Sequence, residues 1–314
     1  MTTVSDERIL VTPRALSRDP GNVINLLQGL ALVPVLGPAG QQPSREELVA
    51  LLPGCQGWIA GVETIDRFVL EQAVDLRVIS RFGTGVDGID LPAADRQGIQ
   101  VRTARGANAR GVAELAMSMT LSALRGIPEA SAALREGRWS RRMGREVEGL
   151  AVSTIGYGAI GQSFTRLMSA LGADVSVVDP FFEPAAIEAL EVQQLPDVAT
   201  AFAHSDVVSL HCPTPDDGQP IVTDTTLLSV RPGCILINTA RAELVEDGAV
   251  LAALQDGRLS WYAVDAFSTE PPTQSQLLQH PRVLATPHIG AYTEQAVDRT
   301  LRMSVEELVK GLRP

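Results

Sequence analysis

Three short segments in the last third of this 314-residue chain each carry one residue able to act on a small carboxylic acid. INTARAELV holds Arg241, VDAFSTEPP holds Glu270 and TPHIG holds His288. Histidine moves a proton at neutral pH, a neighbouring carboxylate stabilises the imidazolium, and arginine clamps a carboxylate through paired hydrogen bonds. Together they suit reduction of a 2-keto acid, or the reverse oxidation, if a hydride carrier binds beside them. The other histidines are His204, His211 and His280. His211 precedes Cys212 and Pro213 at a predicted strand end and fits a role in supporting a cleft, whereas His204 and His280 read as helix-end or loop residues.

A place for the hydride carrier is written in AVSTIGYGAIGQSFTRLM, where Gly156, Gly158 and Gly161 form Gly-x-Gly-x-x-Gly between a strand and a helix. The first glycine permits a tight turn, the second lets a pyrophosphate approach the backbone, and the third lets helix and strand pack closely. The next strand ends in Asp179, 18 residues after Gly161, where a carboxylate would accept hydrogen bonds from the adenosine ribose. That charge would repel a 2′-phosphate, and Pro180, Phe181 and Phe182 offer no arginine to receive one, so the expected cofactor is NAD rather than NADP. Methyltransferases also combine a glycine-rich turn with an acidic strand end, but that reading leaves the Arg, Glu and His segments unexplained.

These residues need a scaffold that brings strand ends together. Short β-branched runs alternate with helical stretches throughout, the pattern of parallel βα units. In the first third the expected strands are Ile9 to Thr12, Leu32 to Leu36, Gly57 to Ala60, Arg77 to Ser80 and Ile99 to Arg102, with helices such as Arg45 to Leu52 and Ile65 to Ala73 between them. A buried helix is expected from Val112 to Arg125, bounded by Gly111 and Gly126 and bridging two domains. Six further strands are expected at 151, 174, 206, 234, 261 and 282, which describes a doubly wound sheet covered on both faces. In such sheets the C-terminal strand ends line the ligand crevice, so Arg241, Glu270 and His288 can converge.

Composition narrows the chemistry. There are 26 basic and 37 acidic side chains, a formal charge of −11, which argues against nucleic acid or an anionic membrane as partner. Only one of the basic residues is a lysine, Lys310, so Schiff-base enzymes, Walker-type ATPases and protein kinases lack the interior amine they need. Cys55, Cys212 and Cys234 are distant from one another and read as reduced thiols rather than as zinc ligands or disulfides, and no metal is expected. The start MTTVSDERIL lacks the basic-then-apolar order of a signal peptide and no apolar run approaches a membrane span, so the expected compartment is the cytoplasm.

Seven ordered motifs carry a resemblance: RFGTGVDGIDL from Arg81, GANARGVAEL from Gly106, GYGAIGQ from Gly156, LHCPTP from Leu210, NTAR from Asn238, DAFSTEPP from Asp265 and TPHIGAYT from Thr286. Over nearly its full length the chain resembles the NAD-dependent D-2-hydroxyacid dehydrogenase family, most of all its phosphoglycerate-oxidising branch. The resemblance implies an α/β fold of two doubly wound parallel-sheet domains. A Rossmann NAD-binding domain over 105–288 would be inserted in a flavodoxin-like substrate domain of 1–104 and 289–314. It also implies that His288 is the acid/base, Glu270 its orienting partner and Arg241 the group holding the substrate carboxylate or carbonyl. Ala159 and Ile160 would face the pyrophosphate, with His211, Cys212, Thr239 and Ala240 lining the cofactor cleft. Asp265 would stand near the nicotinamide, and Gly290 and Ala291 follow the catalytic histidine. The substrate carboxylate would meet the loop Gly83, Thr84 and Gly85. Departures at Thr103, Arg105, Leu150, Ala242, Glu243 and Gly88 remove no catalytic group but bear on the substrate.

Between Arg81 and Arg145 there are 11 arginines and six acidic residues, 11 − 6 = +5 in an acidic chain. Such asymmetry focuses anions. Arg81 matches the arginine that contacts the substrate phosphate in the phosphoglycerate-oxidising relatives, so a phospho- or phosphono-2-hydroxy acid such as 3-phosphoglycerate is expected. The alternatives are an unphosphorylated acid, as in glyoxylate or hydroxypyruvate reductases, and a set of arginines that only makes ion pairs. REGRWSRRMGR lies where relatives form a homodimer contact. A different class of function, an NAD-sensing corepressor-like binding protein, would retain the same Arg, Glu and His.

Overall fold

The computed structural model describes residues 7–182 and 192–313, which divide into two compact units, Met1–Asn108 with Glu294–Pro314, and Ala109–Thr293. In the first unit the order is β1 (Arg8–Val11), α1 (Arg14–Arg18), α2 (Gly21–Gly29), β2 (Val33–Leu36), α3 (Arg45–Leu51), β3 (Cys55–Ala60), α4 (Arg67–Gln72), β4 (Val78–Arg81), α5 (Leu91–Arg96) and β5 (Gln100–Thr103). The strands form one parallel sheet in the order β2-β1-β3-β4-β5. Apolar clusters cover both faces, one around Leu10, Trp58 and Ile79, the other around Ile9, Ile59 and Val78. A C-terminal helix, Glu294–Leu312, seals the second face: Ser80 Oγ donates to Ser304 O at 2.7 Å, and a Cβ on Gly311 would lie 2.4 Å from Val78.

Caps explain where several helices begin. Ser44 and Glu47 form a reciprocal capping box at α3, and the Asp66 carboxylate accepts the Val69 N–H, so α4 starts at Arg67 rather than at Ile65.

The second unit opens with α6 (Ala109–Arg125) and α7 (Ile127–Arg135), followed by β6 (Ala151–Ile155), α8 (Ala159–Ala170), β7 (Asp174–Val178), β8 (Gln193–Gln194) and α9 (Val198–His204). Then come β9 (Val207–Leu210), β10 (Cys234–Asn238), α10 (Asp247–Gln255), β11 (Leu259–Val264) and β12 (Val283–Ala285). Seven parallel strands lie in the order β12-β11-β10-β9-β6-β7-β8, a doubly wound sheet whose order reverses between β6 and β9. β9 and β10 are buried at every residue, as expected for strands covered on both faces.

Helix α6 starts three residues before the predicted Val112 and passes through Gly111. Ala113 and Ala116 are small and buried and pack in one cluster with Phe164 and Met168 of α8, and Gly111 is itself buried within the helix, so the glycine does not mark its start. The unit boundaries also fall later than the expected 104 and 288. The residues around His288 are tied to the end of β11 and so belong to the larger unit. No helix among the described residues is long and apolar enough to cross a membrane.

Candidate active site

The glycine turn is built as its spacing suggests. Gly156 has φ +90°, and a Cβ there would lie 2.6 Å from Cys212 N. A Cβ on Gly161 would lie 2.0 Å from Gly156 O, so this position permits the close contact between α8 and β6. Gly158 differs: it is the N-cap of α8, and a Cβ there would meet nothing within 4 Å. Its exposed backbone and that of Ala159, with Ile160 half-buried beside them, leave the first amides of a 12-residue helix open to an anion.

Asp179 closes the other side of the turn. Its Oδ2 accepts the Tyr157 N–H at 2.6 Å and its Oδ1 accepts the Phe181 N–H at 2.7 Å. Each oxygen keeps a further lone pair, so the carboxylate is oriented by the backbone and still able to accept from ribose hydroxyls. At the neighbouring strand ends, His211 Nδ1 and Thr239 Oγ1 are buried without a hydrogen-bond partner. His211 Nε2 lies 2.9 Å from Ser209 Oγ, its ring packs against Phe164 at 4.9 Å, and burial pushes its pKa down to about 3, so the imidazole is neutral. Burial also pushes the Cys212 thiol up to about 11. An open glycine cradle, an oriented carboxylate and two unpaired polar atoms fit a dinucleotide lying across the sheet's switch point.

The groups able to act on a substrate stand on later strand ends of the same unit. Asn238, fully buried at the end of β10, shapes the next turn: its Oδ1 accepts the Ala240 N–H at 3.1 Å and its Nδ2 donates to Arg241 O at 2.8 Å. Arg241 is half-buried on that turn, with Nη1 donating to Ala240 O at 2.8 Å. Glu270 lies on the loop after β11, and its Oε1 is 2.5 Å from His288 Nδ1. His288 has φ +51°, a left-handed conformation that costs a non-glycine residue about 1 kcal/mol.

Asp265, expected beside the nicotinamide, is 2% exposed, and its carboxylate faces the loop that carries His288. Oδ1 accepts from Thr286 Oγ1 and Ile289 N, and Oδ2 from Gly290 N. Gly290 fits because a Cβ would sit 3.1 Å from Asp265 Oδ2, and Ala291 follows in the turn closed by Tyr292 N to Ile289 O. Asn238 and Thr286 were visible in the sequence only as motif letters. Their signal is a short polar residue one to three positions from the acting side chain, where it can bond the turn that presents that side chain.

In the smaller unit, Arg81 ends β4 and its Nη1 donates to Phe82 O at 2.7 Å and Ala60 O at 3.4 Å. The guanidinium lies against Gly83, which has φ +136°, ahead of an exposed Thr84 and a half-buried Gly85. The basic stretch is shared between the units, and acids from outside it neutralise part of its charge. Arg102 pairs with Glu307 at 3.0 Å and Arg145 with Asp206 at 2.9 Å. Arg110, Arg138 and Arg142 pair with Glu114, Glu136 and Glu129.

Residues 117–290 match the family described as D-isomer specific 2-hydroxyacid dehydrogenase, NAD binding domain. The chain is 35% identical over 277 residues to the D-3-phosphoglycerate dehydrogenase of Rattus norvegicus, a match covering 86% of this chain and 52% of that protein. The chain thus spans about half the length of the curated relatives it matches. Among solved structures, the TT0316 protein from Thermus thermophilus is 30% identical with a TM-score of 0.87, covering 97% of this chain and 96% of that one. The NAD+-bound 3-phosphoglycerate dehydrogenase of Entamoeba histolytica shares the fold, at 21% identity and a TM-score of 0.80 over 96% of this chain and 94% of that one. With the glycine turn in place and the family match covering more than half its length, this chain belongs to the D-isomer specific 2-hydroxyacid dehydrogenase family.

Proposed function

We propose that this chain is an NAD-dependent oxidoreductase that interconverts a small D-2-hydroxy acid and its 2-keto acid. The observation that carries the reading is the His288–Glu270 pair, with Arg241 on a neighbouring strand end of the unit that holds the glycine turn. A carboxylate only accepts hydrogen bonds, so Glu270 keeps the proton of His288 on Nδ1 and leaves Nε2 as the exchanging nitrogen. In the oxidation direction neutral Nε2 takes the proton of the C-2 hydroxyl. In reduction, protonated Nε2 returns it to the carbonyl oxygen. Arg241 orients the substrate through its carboxylate or carbonyl. NAD, when bound, supplies the hydride acceptor or donor.

For the substrate, we infer an anionic phospho- or phosphono-2-hydroxy acid such as 3-phosphoglycerate. Support comes from Arg81 beside the Gly83 loop and from the 35% identity to phosphoglycerate dehydrogenases. An unphosphorylated acid, as for a glyoxylate or hydroxypyruvate reductase, is the second reading, favoured by the two backbone carbonyls that Arg81 already engages and by the ion pairs of its neighbouring arginines. NADH consumption across 2-keto acids with and without phosphate tests both levels. Activity on none of them would overturn the oxidoreductase reading. If Arg81→Ala loses equal activity on phosphorylated and plain acids, the phosphate reading fails.

The chain is further proposed to act as a homodimer in the cytoplasm. Trp139 and Met143 stand 82% and 94% exposed within REGRWSRRMGR, and light scattering tests their pairing.

A further inference from the structure

His288 sits on a loop that is held from the end of another strand. Asp265, at the end of β11 and 2% exposed, accepts three hydrogen bonds, from Thr286 Oγ1 at 2.6 Å, Ile289 N at 2.8 Å and Gly290 N at 2.8 Å. These donors bracket His288, two residues before it and one and two residues after it. His288 N donates to Thr286 O at 2.9 Å, which closes a narrow turn at the residue with φ +51°. The holding residue is itself fixed. Asp265 N donates to Asn238 O and Thr286 N to Val264 O, each at 3.0 Å, so carboxylate and hydroxyl are both anchored on strand ends. A left-handed histidine persists only where its surroundings over-determine it, and here three bonds to one buried carboxylate do so.

We propose that Thr286 and Asp265 are positioning residues for the acid/base. Through the Asp265 carboxylate, the Thr286 hydroxyl helps keep the His288 backbone left-handed and its imidazole directed at Glu270. Thr286 donates one hydrogen bond and touches neither substrate nor cofactor in this role. The consequence for turnover rests on the proton role proposed for His288, whereas the hold on the loop does not.

Two substitutions and two readouts separate these claims. Thr286→Val keeps the shape and removes the donor; Thr286→Ser keeps the donor. By hydrogen-exchange mass spectrometry, the amides of Ile289 and Gly290 should exchange about tenfold faster in Thr286→Val than in the wild type, with Thr286→Ser near the wild type. In steady-state assays Thr286→Val should lower kcat about 10- to 100-fold, with the Kd for NADH within about twofold, and Thr286→Ser should recover most of the loss. Wild-type exchange in Thr286→Val, or equal damage in both variants, would overturn the proposal. If the wild-type protein reduces no 2-keto acid, the proposed function fails, while the exchange comparison still decides the positioning role.

Discussion

Glu270 Oε1 lies 2.5 Å from His288 Nδ1, and the imidazole side chain remains 47% exposed. The contact engages Nδ1 on a half-exposed ring, and a proton carrier uses its two ring nitrogens for different tasks. His288→Ala should therefore lower kcat by about 10²- to 10⁴-fold with the NADH Kd little changed, because it removes proton transfer and leaves the glycine turn intact. Glu270→Gln can still accept from Nδ1–H but can also turn its amide NH2 toward the ring, so it no longer fixes the tautomer. Its loss in kcat should be smaller, about 10- to 100-fold, and present in both directions. Stopped-flow and steady-state NADH absorbance in both directions check this. A Glu270→Gln enzyme as fast as the wild type would refute the orienting role given to the carboxylate.

Asp179 has its two oxygens fixed by the Tyr157 and Phe181 amides. Replacing it by alanine should weaken NADH binding about 10- to 100-fold, the loss of one or two hydrogen bonds to a charged acceptor. NADPH should gain in relative terms, since the charge opposing its 2′-phosphate is gone. Fluorescence titration with both dinucleotides measures the change in preference. An unchanged ratio would mean that the carboxylate serves only the turn.

The glycines of the fingerprint look alike in sequence and differ in the fold. Gly161→Ala would place a methyl group 2.0 Å from Gly156 O, so α8 must move away from β6, and unfolding in urea should come earlier by about 3 kcal/mol or more. Gly158→Ala places its methyl in open space. Its stability should match the wild type to within about 1 kcal/mol, while NADH binding weakens about tenfold or more because the pyrophosphate would use that space. Thermal unfolding and NADH titration on both variants separate a packing glycine from a binding one.

These contrasts show what was legible in the residues. The strands of the larger sheet are near-continuous apolar runs, so β6, β7, β9, β10, β11 and β12 are legible from the sequence. β8 is two exposed glutamines, carries no apolar signal, and forms only because it pairs with β7. The Arg, Glu and His segments could be picked out because each acting side chain lies at a strand end, and parallel strand ends converge. Asp265 was harder. The resemblance implies a place for it beside the nicotinamide, while the groups its carboxylate bonds, Thr286, Ile289 and Gly290, lie more than 20 residues away in sequence. The arginines show the same limit: the composition of the 81–145 stretch reveals its charge but not Glu307 and Asp206, which come from distant elements to meet Arg102 and Arg145.

His211 ties stability to pH. Its pKa in the folded protein is about 3, held down by burial, against an ordinary value of 6.5. Between those values the unfolded chain binds a proton that the folded chain does not, so stability rises with pH across the window. The contribution is fully present above about pH 6.5 and is lost as the pH falls toward 3. The slope is about 1.4 kcal/mol per pH unit, so the wild type should lose about 2 kcal/mol from this group between pH 7 and pH 5. His211→Asn cannot take up the proton in either state, and its stability should fall less over the same interval by about that amount. Urea unfolding of both proteins at pH 7 and pH 5 measures the difference, and parallel losses would show that His211 is not the group that carries this slope.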